Sequence, residues 1–213
     1  GPYRVCYDFM GPENWWRNLL SLRDERDRVC VGYDPRQPEP ELESLGDGPR
    51  LGYPESYSPQ QYDRLLEQYA ERGEEGLWSG LEYFLKAIIP VAEEQHILMG
   101  LHPDDPAFNV RGRARIIKNA AALKRAVDLV PSQSNGITYC PGSLATNPNN
   151  DVEAIAADLW PHFVFCHFRN IRFLTDEELQ GEWAFFETYH EDRAGAVPLA
   201  KILGILPEKG CAV

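Results

Sequence analysis

Basic residues and long apolar runs are both scarce in this sequence. Its 213 residues include 21 Lys and Arg against 33 Asp and Glu, a net charge of −12, and the basic residues form no cluster. A nucleic-acid-binding surface normally carries a basic footprint, and an acidic chain is a poor partner for anionic lipid. No stretch approaches the roughly 20 apolar residues that a membrane-spanning helix requires. We therefore expect no nucleic-acid partner and no membrane partner.

Cysteine is also scarce, and its spacing excludes two common cysteine-based architectures. The five cysteines are Cys6, Cys30, Cys140, Cys166 and Cys211. They form no C-x-x-C pair, which excludes a zinc ribbon or finger, and an odd, widely spaced set fits a reducing compartment better than a disulfide framework. Gly1–Met10 lacks the basic-then-apolar pattern of a signal peptide. We expect a cytoplasmic protein.

The composition that is present is typical of one globular domain. Hydrophobic residues make up 43% and charged residues 25% of the chain, and this length can bury a substantial core. We predict a single domain over residues 1–213, with a long insertion or loop at about 11–57 that is rich in Pro, Gly and charge. Within that segment, a short helix is predicted over Asn14–Arg23.

Three short apolar runs each end directly before a residue that can bind a metal. The runs and their following residues are Ile97–Leu101 with His102, Gly136–Tyr139 with Cys140, and Phe163–Cys166 with His167. Unbroken runs of this length are typical of strands buried on both faces of a parallel sheet. Proline follows two of the three candidates and cannot continue a central strand. We therefore predict that the candidates lie at the carboxyl ends of three separate strands.

Helical patterns alternate with these strands. The predicted helices are Ser58–Arg72 ending at Gly73, Glu75–Glu94, Ile117–Leu129, Asp151–Trp160 and Val197–Leu206. The alternation predicts an α/β fold with parallel strands. An eight-unit barrel of about 250 residues uses about 30 residues per strand–helix unit, so each gap between the candidates can hold one unit. In such barrels the chemistry lies at the carboxyl ends of the strands.

Two interpretations of the three strand-end residues stay open on spacing alone. A buried Cys is usually a small hydrophobe, and a lone His usually makes structural hydrogen bonds. If the three side chains converge, two imidazoles and a thiolate can instead hold a divalent metal. By ligand preference alone, the thiolate favours Zn²⁺ or Fe²⁺.

Four blocks of the sequence resemble the mannonate dehydratases of hexuronate and glucuronate catabolism. Phe84–Pro106, FLKAIIPVAEEQHILMGLHPDDP, is similar to the helix, strand and HPDDPP of that family. The other blocks are NGITYCPGS at Asn135–Ser143, FVFCHFR at Phe163–Arg169 and VCYDFM at Val5–Met10, which resemble NGFTMCTGS, IYFTHLR and VCYNFM. The blocks keep the order of the family over most of the chain.

The resemblance implies a TIM-type (β/α) barrel related to xylose isomerase, an Mn²⁺ or Fe²⁺ cofactor, and dehydration of D-mannonate to 2-keto-3-deoxy-D-gluconate. It implies that His102, Cys140 and His167 are the metal ligands. The family has a further metal-binding Asp in a late R-P-D-H-G motif that this sequence lacks, so we expect an incomplete barrel without the N-terminal strands and the last strand. The expected partners are a small-molecule sugar acid and further copies of the chain in a homo-oligomer.

Charged residues beside the ligands are candidates for acid–base chemistry. Asp104 and Asp105 follow the first ligand and can act as a general base or hold a ligating His, unless they cap a turn. Arg169 is predicted to clamp the substrate carboxylate, with a surface arginine as the alternative. His190 is predicted to protonate the leaving hydroxyl, with an exposed loop histidine as the alternative.

Three further residues are predicted to contact the substrate. Ser143 and Asn170 can bind its hydroxyl groups, and Asp8 ends the first strand at the same mouth, where the family has Asn. Cys166 is predicted to point into the core, because side chains alternate along a strand and His167 points the other way.

Two other functions fit the same residues. A metal-dependent sugar isomerase or epimerase of the xylose-isomerase-like class would also place ligands at strand ends. A truncated, catalytically inactive homologue is the second alternative. It would explain the missing late Asp and the Ala196 and Pro198 that stand where the family's HLxGDVD segment has acids.

Overall fold

The computed structural model describes residues 3–7, 20–23, 29–33, 36, 59–110, 113–174 and 184–208. Within these ranges the strands are β1 (Tyr3–Tyr7), β2 (Leu20–Arg23), β3 (Val29–Tyr33), β4 (Ile97–Leu101), β5 (Asn135–Tyr139), β6 (Phe163–Cys166), β7 (Asn170–Phe173) and β8 (Phe185–Thr188). The helices are α1 (Pro59–Glu94), α2 (Ala120–Leu129), α3 (Pro141–Ala145), α4 (Val152–Leu159) and α5 (Leu199–Glu208).

Four of the strands form a curled parallel sheet in the order β1-β4-β5-β6. Met99 of β4 pairs with Asn135 of β5, and Ile137 of β5 pairs with Phe163 of β6. The outer strands β1 and β6 also contact each other. Because neighbouring strands lie about 4.8 Å apart, such a contact across two intervening strands requires the sheet to curl. The predicted parallel strands are confirmed.

Helix α1 packs against β4 and is broken at Gly73. The φ angle of Gly73 is 58°, in the left-handed region that glycine adopts without steric cost. The helix end predicted at this glycine is confirmed. Beyond the break, Leu81, Leu85 and Ile89 recur at helical spacing and are almost fully buried. This stripe is the face that the sequence predicted to pack on the sheet.

Side-chain caps determine where two helices begin. Asn119 accepts a hydrogen bond from the backbone amide of Ala122 and caps α2, and Asp151 caps α4 in the same way. The sequence predicted α2 from Ile117, which is too early. The apolar pattern includes Ile117, but the cap at Asn119 makes the helix begin only at Ala120.

A second sheet, antiparallel and ordered β2-β3-β8-β7, was not predicted. Strands β2 and β3 lie inside the segment 11–57 that was expected to be a long insertion or loop, and β7 follows His167 where no strand was predicted. Leu20–Arg23 is a strand where the sequence predicted a helix over Asn14–Arg23, and residues 14–19 lie outside the described part of the chain. Strand formation depends on partners that are distant in sequence, as in the pairing of Tyr33 with Phe185.

The hydrophobic core joins the parallel sheet to the helices. Cys166 is half-buried and packs against this core, as predicted. Helix α5, which follows β8 in the chain, packs on α4. Among the described residues, no helix is both long and apolar enough to cross a membrane.

Candidate metal centre

His102, Cys140 and His167 converge at the carboxyl edge of the parallel sheet. They directly follow β4, β5 and β6, which are neighbours in the sheet. One ligand atom from each residue lies within 4.8 Å of the other two, and the imidazole ring centroids of the two histidines are 5.1 Å apart. The topology therefore brings together the three residues that sequence position singled out.

The short helix α3 holds Cys140 at the end of its strand. Cys140 is the N-cap residue of α3, and its carbonyl oxygen accepts a hydrogen bond from the amide of Leu144 at 3.1 Å. Pro141 occupies the first turn, where its missing N–H is not needed. Cys140 is 2% exposed. The sulfur therefore has a defined position, at the start of a short helix that the sequence analysis did not predict.

The two histidines are oriented by backbone contacts and by a neighbouring ring. Nδ1 of His102 donates to the carbonyl oxygen of Pro103 at 2.6 Å, so this imidazole offers Nε2 as its metal-binding atom. The backbone amide of His167 donates to the carbonyl oxygen of Tyr139 at 2.9 Å, and its ring meets that of Phe165 edge-on. A hydrogen bond therefore orients the His102 ring, and contacts with neighbouring rings orient that of His167.

The surroundings of Cys140 favour the thiolate. Burial alone would raise the pKa of this thiol. Hydrogen bonds with His102, His167 and Ser143 and the charge of His102 act in the opposite direction, and the resulting pKa is about 6. The deprotonated sulfur, which is the form that binds metals, therefore predominates at neutral pH.

This donor set fits a divalent transition metal. Two imidazole nitrogens and one thiolate are ligands for Zn²⁺, Fe²⁺ and related ions, and three protein ligands leave positions open for a substrate. The side chains come from three separate strands, so their spacing depends on the rigid sheet and not on one flexible loop. Both the convergence of His102, Cys140 and His167 and the chemistry of their donor atoms therefore fit a bound divalent metal.

A polar network extends from the sulfur of Cys140. Its Sγ lies 3.1 Å from Oγ of Ser143, which is fully buried. Oγ of Ser143 also accepts a hydrogen bond from Nη1 of Arg169 at 3.4 Å. The same Nη1 forms an ion pair with Oδ2 of Asp105. Ser143 therefore contacts the candidate ligand directly, and Arg169 and Asp105 connect to it through Ser143.

Arg169 is partly buried, and its neighbours satisfy only part of its guanidinium. Burial alone would lower the pKa of its guanidinium, whereas the charges of Asp105, Cys140 and Glu187 raise it, so Arg169 is a cation. Its Nε lies 3.8 Å from Oε1 of Glu187. Among the described residues, Nε and Nη2 of Arg169 and Oδ1 of Asp105 have no hydrogen-bond partner. Buried atoms in this condition are suited to a ligand.

Asp104 faces the loop that follows β4. Its Oδ2 accepts hydrogen bonds from the backbone amides of Ile116 and Ile117 at 2.9 and 2.6 Å, and its Oδ1 lies 3.8 Å from Nη1 of Arg115. These contacts organise the loop and correspond to the turn-capping alternative. The two acids of the predicted pair therefore have different surroundings.

Asn170 joins strand β7 to the loop at 189–197. Its Nδ2 donates to the carbonyl oxygens of Tyr189 and Asp192 at 3.0 and 3.3 Å, and its Oδ1 accepts from the amide of Val197 at 3.1 Å. A Cβ on Gly195 would lie 2.2 Å from the Asn170 amide nitrogen, so the loop approaches it closely. These contacts favour a structural role over the predicted contact with substrate.

His190 is exposed but is tied to the turn that carries His167. Its Nε2 donates to the carbonyl oxygen of Phe168 at 2.7 Å. It lines a groove of about 700 Å³ between the loop at 190–198 and the beginnings of α4 and α5, with Arg193 and Lys201. Asp8, the remaining predicted site residue, lies outside the described residues.

Sequence reasoning missed Gly142 and Glu187. A Cβ on Gly142 would lie 2.7 Å from both Cβ and Cγ of Arg169, so glycine at this position allows the arginine to reach Ser143. The Cys-x-Gly-Ser pattern contained this signal. Glu187 lies on β8, and its approach to the network depends on a sheet that local patterns did not indicate.

Comparisons with known proteins relate this chain to one family by sequence and by fold. The model of the D-mannonate dehydratase (UxuA) family matches residues 1–212. The chain is 38% identical to a mannonate dehydratase of Enterococcus faecalis, over 97% of the chain and 58% of that protein. It is 33% identical to that of Oceanobacillus iheyensis, over 96% of the chain and 57% of that protein. The crystal structure of mannonate dehydratase from Streptococcus suis serotype 2 matches with a TM-score of 0.77 and 31% identity, over 99% of this chain and 55% of that one.

The fold and the site together define an α/β protein whose curled parallel sheet carries a candidate transition-metal centre at its carboxyl edge. The chain belongs to the D-mannonate dehydratase family. It spans about half the length of the curated relatives that it matches. The comparisons favour neither the sugar isomerase or epimerase nor the inactive homologue.

Proposed function

We propose that this chain acts in the metal-dependent dehydration of D-mannonate to 2-keto-3-deoxy-D-gluconate. The observation that carries the proposal is the convergence of His102, Cys140 and His167 within 4.8 Å at the ends of three parallel strands, in a chain that belongs to the mannonate dehydratase family. The substrate is a small sugar acid, and its carboxylate calls for a cationic partner near the metal ligands.

The same three residues are proposed as the ligands of Mn²⁺ or Fe²⁺. Cys140 binds as a thiolate and both imidazoles bind in the neutral form. When bound, the ion supplies a Lewis acid that neutralises the negative charge developing on the substrate. Fe²⁺ suits the thiolate on ligand preference, and Mn²⁺ is the ion that the sequence resemblance also implies.

Arg169 is proposed to bind the substrate carboxylate. Its Nη1 is engaged by Asp105 and Ser143, whereas Nε and Nη2 have no hydrogen-bond partner among the described residues. These two nitrogens form one edge of the guanidinium and match a carboxylate in bidentate fashion. Nε also lies 3.8 Å from Glu187, so a substrate carboxylate would compete with that weak ion pair.

Dehydration removes the proton beside the carboxylate and expels the neighbouring hydroxyl. We assign the proton-accepting role to Asp105, because its Oδ1 is buried and has no hydrogen-bond partner among the described residues. His190 is assigned as the proton donor to the leaving hydroxyl, since its contact with Phe168 holds it beside the ligand-bearing turn. Asp104 is assigned to loop structure and not to proton transfer, because backbone amides occupy its Oδ2.

The finer architecture that we propose is a TIM-type (β/α) barrel. Its support is the curl of the β1-β4-β5-β6 sheet, the helices between consecutive parallel strands and the location of the candidate ligands at their carboxyl ends. We also propose a homo-oligomer and a cytoplasmic location. The support for the location is that Cys6 and Cys140 form no disulfide with another described residue, as is typical of a reducing compartment.

The test is turnover of D-mannonate by the full-length protein with added Mn²⁺, followed through the 2-keto-3-deoxy product. Cys140→Ala removes a proposed ligand and should lower kcat/KM by roughly a hundredfold or more. Cys166→Ala is the matched control, because this half-buried cysteine packs against the core, and its activity should stay within about threefold of the parent. Undiminished turnover by the Cys140 variant, or none by the parent with metal bound, would reject the proposal.

A further inference from the structure

The Cys-Pro-Gly-Ser segment does more than supply a metal ligand, because each of its residues has a separate contact. Cys140 provides the sulfur, and Pro141 begins helix α3. Gly142 leaves the space that the Arg169 side chain occupies. Ser143 lies one helical turn beyond Cys140, with its hydroxyl 3.1 Å from the sulfur. The segment is therefore arranged to bring a hydroxyl and a guanidinium to one thiolate.

The direction of the hydrogen bonds follows from the donors available. A guanidinium has no acceptor, so Arg169 must donate from Nη1 to Oγ of Ser143. A metal-bound thiolate carries no proton, so in that form the hydroxyl of Ser143 donates to the sulfur, 3.1 Å away. The resulting order is guanidinium to hydroxyl to thiolate. Asp105 anchors the other end by its ion pair with Arg169.

We propose that Ser143, oriented by Arg169, is a positioning residue that sets the metal preference of the site by hydrogen bonding to the sulfur of Cys140. A hydrogen bond draws electron density from a thiolate and makes it a weaker donor toward soft ions. A bare thiolate with two imidazoles would favour Zn²⁺. The donated hydrogen bond reduces this advantage and makes the site more favourable to Mn²⁺ and Fe²⁺, in the way that outer contacts tune a metal centre. The inference rests on the proposed metal site.

The test compares the binding of Mn²⁺, Zn²⁺ and Co²⁺ by the full-length protein and by Ser143→Ala. Zn²⁺ affinity relative to Mn²⁺ should rise by roughly tenfold in the variant. With Co²⁺ bound, the thiolate-to-metal charge-transfer band should move to longer wavelength, because the sulfur has lost its hydrogen bond. This spectrum reports on the sulfur directly and needs no substrate.

Thr138→Val is the matched control. Thr138 is a fully buried residue of β5, the strand that precedes Cys140, and its hydroxyl donates to the carbonyl oxygen of Gly100 at 2.9 Å rather than to the sulfur. The metal preference and the Co²⁺ spectrum of the Thr138→Val variant should match those of the parent protein. If Ser143→Ala does not give folded protein by circular dichroism, Arg169→Lys replaces it, with a smaller change expected in the same direction.

The outcomes separate this inference from the proposed function. A parent protein that binds none of the ions, or binds them equally well after Cys140→Ala, removes the metal site and the inference with it. A parent that binds through Cys140, with an unchanged metal ratio and spectrum in Ser143→Ala, overturns the inference and leaves the proposed function standing. An equal shift in Thr138→Val also overturns it, because the effect would then come from packing in general.

Discussion

Cys140 illustrates how neighbouring side chains change the chemistry of a single residue. A thiol that is 2% exposed would ordinarily stay protonated and inert. Here two imidazoles and a hydroxyl contact the sulfur and lower its pKa to about 6. The same sulfur lies in a polar network with Ser143, Arg169 and Asp105. The chemistry of this residue therefore depends on Ser143 in its own segment and on groups that follow β4 and β6.

We expect Mn²⁺ binding to weaken as the pH falls below about 6. The pKa of Cys140 is lowered from 9.0 to about 6, so the thiolate persists down to that pH and is protonated below it. Since the metal binds the deprotonated sulfur and neutral imidazoles, the dissociation constant should rise by roughly tenfold or more for each pH unit below that point. Isothermal titration calorimetry over a pH series measures it.

Cys140→Ser is the comparison for this pH series. Its hydroxyl does not ionise near neutral pH, so the variant should bind Mn²⁺ more weakly at neutral pH and lack the added dependence near pH 6. Identical pH profiles for the parent and the variant would show that other groups control the binding.

At the scale of the elements, glycines let the parallel strands approach each other. The side chain of Val164 on β6 packs against both Gly100 of β4 and Gly136 of β5. A Cβ on Gly136 would lie 2.5 Å from Cγ1 of Val164 and 2.8 Å from the carbonyl oxygen of His162. The absent side chains make room for one valine inside the curl of the sheet. The positions of the three strand ends, and so of the ligands, depend on this packing.

Gly136→Ala should destabilise the protein by about 1 to 3 kcal/mol, because a methyl group must displace Val164 and a backbone oxygen in a packed interior. Gly204→Ala is the control, because nothing lies within 4 Å of a Cβ added there. In helix α5 that change should stabilise by about 0.5 to 1 kcal/mol. Denaturant unfolding gives both values. A Gly136 variant as stable as the parent would contradict the packing argument.

At the scale of the whole molecule, the candidate ligands connect three parallel strands that are separated by helices. Each ligand follows a different strand. Helix α2 lies between the first and second ligands in the chain, and α3 and α4 lie between the second and third. An ion bound to all three therefore ties together the part of the fold that is formed by contacts distant in sequence. Unfolding separates the ligands, so metal affinity adds to stability.

Saturation with Mn²⁺ should therefore raise the Tm. At a free concentration of about 100 times the Kd, the added stability is about 2.7 kcal/mol, which corresponds to roughly 5 to 10 °C for a protein of this size. Differential scanning fluorimetry with Mn²⁺ and then with excess chelator measures the shift. The Cys140→Ala variant should show almost none, and an equal shift in that variant would place the stabilising ion elsewhere.

Much of the parallel sheet and of the candidate centre could be predicted from local patterns. The apolar runs before His102, Cys140 and His167 gave the strands, and Gly73 gave the break in α1. The antiparallel sheet could not be predicted, because the pairing of β3 with β8 joins segments distant in the chain. The helix predicted over Asn14–Arg23 was wrong at Leu20–Arg23, because these residues pair with the neighbouring strand β3.

The sequence by itself determined which residue types end the strands, and the parallel topology follows from their alternation with helices. It also determined the chemistry available, namely two imidazoles, a thiolate and nearby charges. Only the tertiary structure decided how neighbours divide their roles. Asp104 bonds to backbone amides whereas Asp105 bonds to Arg169, and Asn170 ties down a loop whereas Ser143 reaches the sulfur. Residues adjacent in sequence point in different directions, and the partners they meet come from distant segments that only the folded chain brings within hydrogen-bonding distance.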